Sequence, residues 1–334
     1  MSRPVAPPPS TQEKGAALIS ALLLVALMTT VALAIATDMR FSMRRAANLD
    51  IRDQSYWYAL GARDFAESMV ERAMGSPEEA LTPSAAWLSG PQIFPIEDGQ
   101  LAGTIRDGNN CFNVNSLVVA GGNGLLVEDP QQRRRFERLM DAAGIPLNVA
   151  ALIAGQAVDW IDSDARPVVS GGEDEIYAEG ERGYRTANTL MVERQELLSL
   201  AAMTPALYER IAPLVCTRPV AEPLPLNINT LRFDQAPLMM AAFDGRLSRT
   251  DVEGLLIQRP QDGYGEIAEF WALPAIQALE PDAAMQSVLA TTTNYFEIEI
   301  DVFYAGMRFE LFELIEWRGG GDVRRVSQRY GSFS

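Results

Sequence analysis

The stretch from Ala16 to Thr37 limits the fold of this chain more than any other, because its 22 residues carry no charge. At about 1.5 Å of rise per residue it makes a helix of roughly 33 Å, enough to cross a hydrocarbon core of about 30 Å. One reading is a secretory signal, since Ala34-Ile35-Ala36 has the small-x-small spacing of a cleavage site. The apolar core of such signals is only about 7 to 15 residues long, which this run exceeds. A second reading is an uncleaved anchor, with Arg3 and Lys14 holding the N-terminus inside while Arg40, Arg44 and Arg45 crowd the far side. In a third, the polar segment Met1–Gly15, with Pro4 and Pro7-Pro8-Pro9, is a leader removed between Gly15 and Ala16. The apolar run then becomes the new N-terminus.

From Arg40 to Met74 there is no Pro and Gly61 is the only Gly, and Tyr58, Ala62, Phe65 and Met69 return at helical spacing. One helix from Ala16 to Ala73 is expected, half in lipid and half packed on a soluble domain; the alternative is an anchor followed by a separate amphipathic helix. Gly75-Ser76-Pro77 closes it, and the loop to Pro91 holds Pro83 and Trp87 without periodicity. Two short strands about Asp98-Gly99 are expected between Ile93 and Ile105. Near the C-terminus, Asn294 to Trp317 alternates apolar and polar residues about a turn at Ala305-Gly306, and Val323 to Tyr330 follows Gly319-Gly320-Gly321 as another strand. One antiparallel sheet can thus be assembled from both ends of the sequence, with everything between as an insertion.

The interior reads as helical, and it repeats. Asn113 to Leu117 and Asn227 to Leu231 share an Asn-x-Asn-(Ser/Thr)-Leu core. Each copy is followed by a Leu-Met-x-Ala-Ala stretch, Leu139 to Ala143 and Leu238 to Ala242, and then by an amphipathic piece beginning at Val149 or Val252. The order indicates a duplicated helical unit. Ser116 and Thr230 are the candidate helix N-caps, and the role expected of the motif is structural.

Chemistry is narrowed by composition. The net charge of −16, from 28 basic and 44 acidic residues, opposes any sequence-independent grip on nucleic acid. There is no His, so His-based triads and the common His-containing zinc sites are absent from this chain. The two cysteines, Cys111 and Cys216, flank the repeated motifs and pair as a disulfide if the chain is exported; two buried thiols are the alternative. Carboxylates concentrate between Asp159 and Tyr177, at Asp159, Asp162, Asp164, Glu173, Asp174 and Glu175. Asp159 and Asp162 share a helix face, and Pro167 with Gly171-Gly172 forces a loop that brings Glu173 and Asp174 back. Hard oxygen donors at this density suit calcium, although the spacing is not an EF-hand, and a solvated acidic face is the competing reading. Paired carboxylates also invite a glycosidase reading, which nothing like a Trp-rich sugar cleft supports.

Taken together, the Lys14-Gly15 boundary, "DWID-D" from Asp159 to Asp164, "G-ED--Y" from Gly172 to Tyr177, "YRTAN" at Tyr184 and "LNINT" at Leu226 resemble the K-type minor pseudopilins of bacterial type II secretion systems. The resemblance implies an α+β, pilin-like fold: a prepilin leader (1–15), a transmembrane and amphipathic helix (16–74), a sheet split between 75–110 and 291–334, and an inserted all-α domain of duplicated SAM-like units (111–290). It implies calcium held by Asp159, Asp162, Asp164, Glu173 and Asp174, cleavage by prepilin peptidase between Gly15 and Ala16, methylation of the new N-terminus, and no enzymatic activity. The expected role is at the tip of the pseudopilus, initiating its assembly and helping export across the outer membrane. Expected partners are the I-type and J-type minor pseudopilins and secreted substrates, with the chain spanning the inner membrane once and its soluble part in the periplasm. Pilin-like subunits generally carry Glu at the fifth mature position, where this chain has Ser20, and K-type members are similar in lacking it. Two rivals remain: a type IV pilus tip subunit, and a membrane-bound helix-hairpin-helix DNA binder suggested by "LNINT" and Asp244-Gly245-Arg246.

Overall fold

The computed structural model describes residues 11–75, 90–122, 124–178 and 183–331. Met1 to Ser10, Ser76-Pro77 and the stretch with Pro83 and Trp87 lie outside them. A single helix, α1, runs unbroken from Thr11 to Gly75, 65 residues and about 97 Å. It begins inside the expected leader, so the Gly15–Ala16 bond is helical. Residues 15–50 are all exposed, and burial starts at Ile51. The fully buried stripe is Ser55, Ala59, Ala66, Val70 and Ala73. Of the face read from the sequence, Tyr58, Ala62 and Met69 pack partly buried against the same core, while Phe65 is half-exposed at its rim.

The sheet has five antiparallel strands, in the order Gln92–Ile96 (β1), Gly99–Asp107 (β2), Tyr295–Tyr304 (β9), Met307–Trp317 (β10) and Val323–Tyr330 (β11). Gln92–Ile96 (β1) and Gly99–Asp107 (β2) turn about Asp98, whose φ is 56°. Between β2 and β9 lies the insertion. Tyr295–Tyr304 (β9) and Met307–Trp317 (β10) turn at Ala305-Gly306, both at positive φ, as a two-residue hairpin of type I′ requires. Val323–Tyr330 (β11) completes the sheet. Strand β2 pairs with β9 from Gly99↔Tyr304 to Asp107↔Phe296, so the two ends of the sequence are zipped side by side. Phe296, Ile298, Ile300 and Val302 of β9 face α1 together with Leu101, Ile105, Leu311 and Ile315. The alternate residues Glu297, Glu299 and Asp301 look the other way and pair with Arg218, Arg106 and Arg308. One charge breaks the pattern on the α1 side: Glu313 is fully buried, contacts Arg325, and lies 3.8 Å from Arg63 of α1, while Arg325 reaches Glu67 at 3.1 Å.

The insertion has its own core and two copies of one plan. In the first, Phe112–Asn113 (β3) is followed by a small hairpin, Val118–Ala120 (β4) with Leu126–Glu128 (β5), then Pro130–Ala142 (α2), Leu147–Ile161 (α3), Asp174–Ala178 (α4), Pro205–Ile211 (α5) and Val215–Cys216 (β6). The second runs Leu226–Asn227 (β7), Ala236–Ala242 (α6), Arg249–Gln258 (α7), three short helices between Ile267 and Gln286, and Leu289–Ala290 (β8). Each copy closes with a parallel bridge, β3 on β6 and β7 on β8. The repeated asparagines explain the recurrence. Asn115 accepts from the Met191 N–H and donates to the Met191 and Arg218 carbonyls, all at 2.8 Å. Asn229 accepts from the Tyr264 N–H at 2.8 Å and donates to its carbonyl at 3.0 Å.

Ser116 and Thr230 are not N-caps. Asn113 caps the turn Val114–Leu117 through its own side chain, and Ser116 Oγ donates back to the Asn113 carbonyl. Thr230 Oγ1 instead donates to Asp107 Oδ2 at 2.6 Å, where Asn227 Nδ2 also binds. Cys111 and Cys216 form a disulfide with Cα atoms 5.8 Å apart. Two residues on, Arg218 crosses to Glu297 of β9 at 3.0 Å, so the bridge lies where the insertion meets the sheet.

Candidate functional site

The acidic cluster is built on the last turn of α3. Ala150, Ile153, Ala154, Ala157, Val158 and Ile161 anchor that helix in the core, which drags Asp159 to full burial. A buried carboxylate survives only with partners. The loop after α3 folds back to supply them: the backbone N–H groups of Val168 and Gly172 donate to Asp159 Oδ1 at 3.0 Å and Oδ2 at 2.6 Å. Gly171 is required in this loop, because a Cβ there would run into Asp159 Oδ2. Asp162 ends α3 as its C-cap, and Glu173 stands at the far end of the loop, just before α4.

Asp159, Asp162 and Glu173 are all buried, and one oxygen from each lies within 4.8 Å of the others. Asp162 Oδ1 and Glu173 Oε1 are buried without a hydrogen-bond partner among the described residues. Burial pushes both carboxyls up to about 7, with Asp159 and the neighbouring acids adding repulsion. Asp159 is raised as well, by burial against the pull of its two N–H donors. Three hard oxygens at this spacing fit the shell of one calcium ion, whose opposed ligands at about 2.3 to 2.6 Å lie roughly 5 Å apart. The residues present therefore suit the metal.

The other two carboxylates of the sequence set turn elsewhere. Asp164 is exposed and accepts from the Arg166 N–H at 2.7 Å. Asp174 Oδ1 is taken by the Thr186 N–H and hydroxyl, with Arg185 3.7 Å from Oδ2. Thr186 also donates to Glu173 Oε2 at 3.3 Å, and so ties "YRTAN" to the cluster. Trp160, Tyr177 and Tyr184 pack as an aromatic group beside it, with centroids 5.2 to 6.1 Å apart. Sequence reading did not find Thr186, whose position beside the acids depends on the fold.

The Asp244-Gly245-Arg246 turn that suggested a DNA-binding hairpin is spent on something else. Asp244 and Gly245 adopt left-handed conformations, and the N–H groups of Asp244, Gly245 and Arg246 donate to Ala241, Met240 and Phe243 carbonyls. They close α6 and are not presented to a ligand.

The model of the family described as type II secretion system (T2SS), protein K, matches in two parts, residues 110–220 and 226–292. The type II secretion system protein K of Pectobacterium carotovorum subsp. carotovorum is 32% identical over 326 residues, covering 97% of this chain and 98% of that one. Its counterpart in Klebsiella pneumoniae is 33% identical over 325 residues, covering 96% and 98%. In the crystal structure of the GspK-GspI-GspJ complex from the enterotoxigenic Escherichia coli type 2 secretion system, one chain superposes with a TM-score of 0.76 at 27% identity, covering 86% of this chain and 99% of its own. With a helix bearing a split sheet, a duplicated insertion, and relatives matched along almost their whole length, the chain belongs to the type II secretion system protein K family.

Proposed function

We propose that this chain is the minor pseudopilin at the tip of a type II secretion pseudopilus, where it helps initiate assembly with I-type and J-type partners. The observation that carries the reading is the combination of a charge-free run from Ala16 to Thr37 with a crown of 187 residues, 108–294, between β2 and β9. A carboxylate at the fifth mature position is costly in the membrane and is retained where it meets the N-terminal amine of a preceding subunit. Ser20 offers no such charge. A subunit with nothing to offer a predecessor belongs first in the filament, where so large an insertion meets no subunit above it.

In this reading prepilin peptidase cuts between Gly15 and Ala16, the new amine is methylated, α1 crosses the inner membrane once, and the sheet and insertion stand in the periplasm. Asp159, Asp162 and Glu173 hold calcium as a structural ion that neutralises crowded carboxylates and fixes the loop from Ser163 to Gly172. Secreted substrates meet the tip during export. Co-expression of the full chain with I-type and J-type homologues tests the proposal. A stable ternary complex containing a subunit that begins at Ala16 is expected. A processed chain that joins neither homologue, or that joins only type IV pilus subunits, would refute the tip assignment.

A further inference from the structure

Beyond Thr37 the helix carries three arginines within six residues, Arg40, Arg44 and Arg45, in a chain whose net charge is −16. All three are exposed, and none has an ion-pair or hydrogen-bonded side-chain partner among the described residues. Arg40 and Arg44 are four apart and share one helix face, an arrangement of like charges that weakens an isolated helix. The nearest acids on the same helix, Asp38, Asp50 and Asp53, form no ion pair with them. Met39, Phe41 and Met43, at 53%, 68% and 64% exposure, are interleaved with the arginines. The pattern leaves three exposed, unpaired cations side by side with apolar side chains, open to an anionic partner.

We infer that Arg40, Arg44 and Arg45 form a collar that grips anionic phospholipid headgroups at the outer leaflet of the membrane that α1 crosses. The inference rests on the membrane-spanning reading above. If Thr37 marks the edge of the hydrocarbon core, Arg40 lies about 4.5 Å beyond it and Arg45 about 12 Å beyond it. The headgroup layer adds roughly 5 to 7 Å on each side of the core, so Arg40 starts within it, while Arg44 and Arg45, about 10.5 and 12 Å out, meet it by reaching back along their long side chains. Arginine stems reach back along apolar surface while their guanidinium groups stay with the phosphates, which they bind through paired N–H donors. Met39, about 3 Å past the core edge, fits the acyl boundary beneath. Burial against the soluble body begins only at Ile51, about 21 Å past Thr37, so the collar is free to meet lipid. Arginines on the translocated side run against the usual bias. A headgroup grip gives them a use there: it sets the height of the subunit in the membrane and the resistance to its withdrawal.

Native mass spectrometry of the full chain, released from detergent micelles holding equal phosphatidylglycerol and phosphatidylcholine, tests this. About tenfold more phosphatidylglycerol than phosphatidylcholine should remain bound to the wild-type chain. The ratio should fall to near one in Arg40→Gln/Arg44→Gln/Arg45→Gln and persist in the matching triple Lys variant. Equal retention of the two lipids by the wild type, or an unchanged preference in the Gln variant, overturns the collar. So does a Gln variant that keeps its lipid preference but no longer joins the I-type and J-type homologues, since the arginines would then serve a neighbouring protein helix. A chain that purifies without detergent and retains neither lipid overturns the membrane-spanning reading too, which separates the two failures.

Discussion

Asp162 and Glu173 each keep one oxygen buried and unpaired, and this gives the cluster a defined response to pH and to metal. Their folded values of about 7 lie above the ordinary 3.8 and 4.5. Without metal, their burial therefore favours the protonated forms. Their stabilising contribution is fully present below about pH 4 and is lost as pH rises through 7. A bound cation reverses the preference, because it requires the charged forms. Calcium should raise the melting temperature strongly at pH 8 and little at pH 5, and chelation at pH 8 should lower it. Calorimetry of the wild type beside Asp162→Asn/Glu173→Gln, which should show no calcium response, checks this. A second prediction concerns the repeated asparagines. Asn115→Ala strands the Met191 N–H and two carbonyls in a buried site, and should cost about 2 to 3 kcal/mol, read by denaturant unfolding. Sequence density alone marked the acidic segment, but which carboxylates turn inward was decided by loop amides reaching Asp159. That is why Asp164 and Asp174 lie outside the trio. Backbone acceptors for Asn115 and Asn229 lie 76 and 35 residues away, beyond any local pattern.

At the scale of elements, periodicity carried the reading wherever an element was long enough to show it. The alternation of β9 and β10 placed their apolar face correctly, and the turns at Asp98 and Ala305 fell where glycine follows a residue that tolerates positive φ. Elements of two or three residues, such as β3, β6 and the β4–β5 hairpin, are too short to carry a period, and the sequence did not reveal them. The α1 stripe was displaced by one position. Tyr58, Ala62 and Met69 of the expected face do pack on the core, but full burial falls one position away, on Ala59, Ala66 and Val70. Ala66→Leu should therefore wedge α1 away from β9 and cost about 1 to 3 kcal/mol, while Phe65→Ala, at the half-exposed rim, should cost less. Thermal melting of the two variants ranks them directly, and the opposite order would restore the larger residues as the true interface.

Across the whole molecule, two cores meet at a seam where Asp107, Asn110 and Asn227 bond across the base of the insertion and the disulfide closes it, and Arg329 of β11 adds a further link to Glu193 at 3.5 Å. A bridge between residues 105 apart restricts the unfolded chain by about 4 to 5 kcal/mol in the loop-entropy account. Cys111→Ser/Cys216→Ser should accordingly lower the insertion's melting transition by several degrees and leave the α1–sheet transition nearly unmoved, as tryptophan fluorescence and calorimetry recorded together would show. The pairing of Asp107 with Phe296 carries a further consequence. Everything between those two positions occupies the place of a hairpin turn, but a connection this long, unlike the two-residue turn at Ala305-Gly306, leaves the register of β2 and β9 to their own pairing and apolar alternation. The crown can therefore change in length or content without moving the β2–β9 pairing, so the α1–sheet body beneath it keeps its dimensions whatever the insertion becomes.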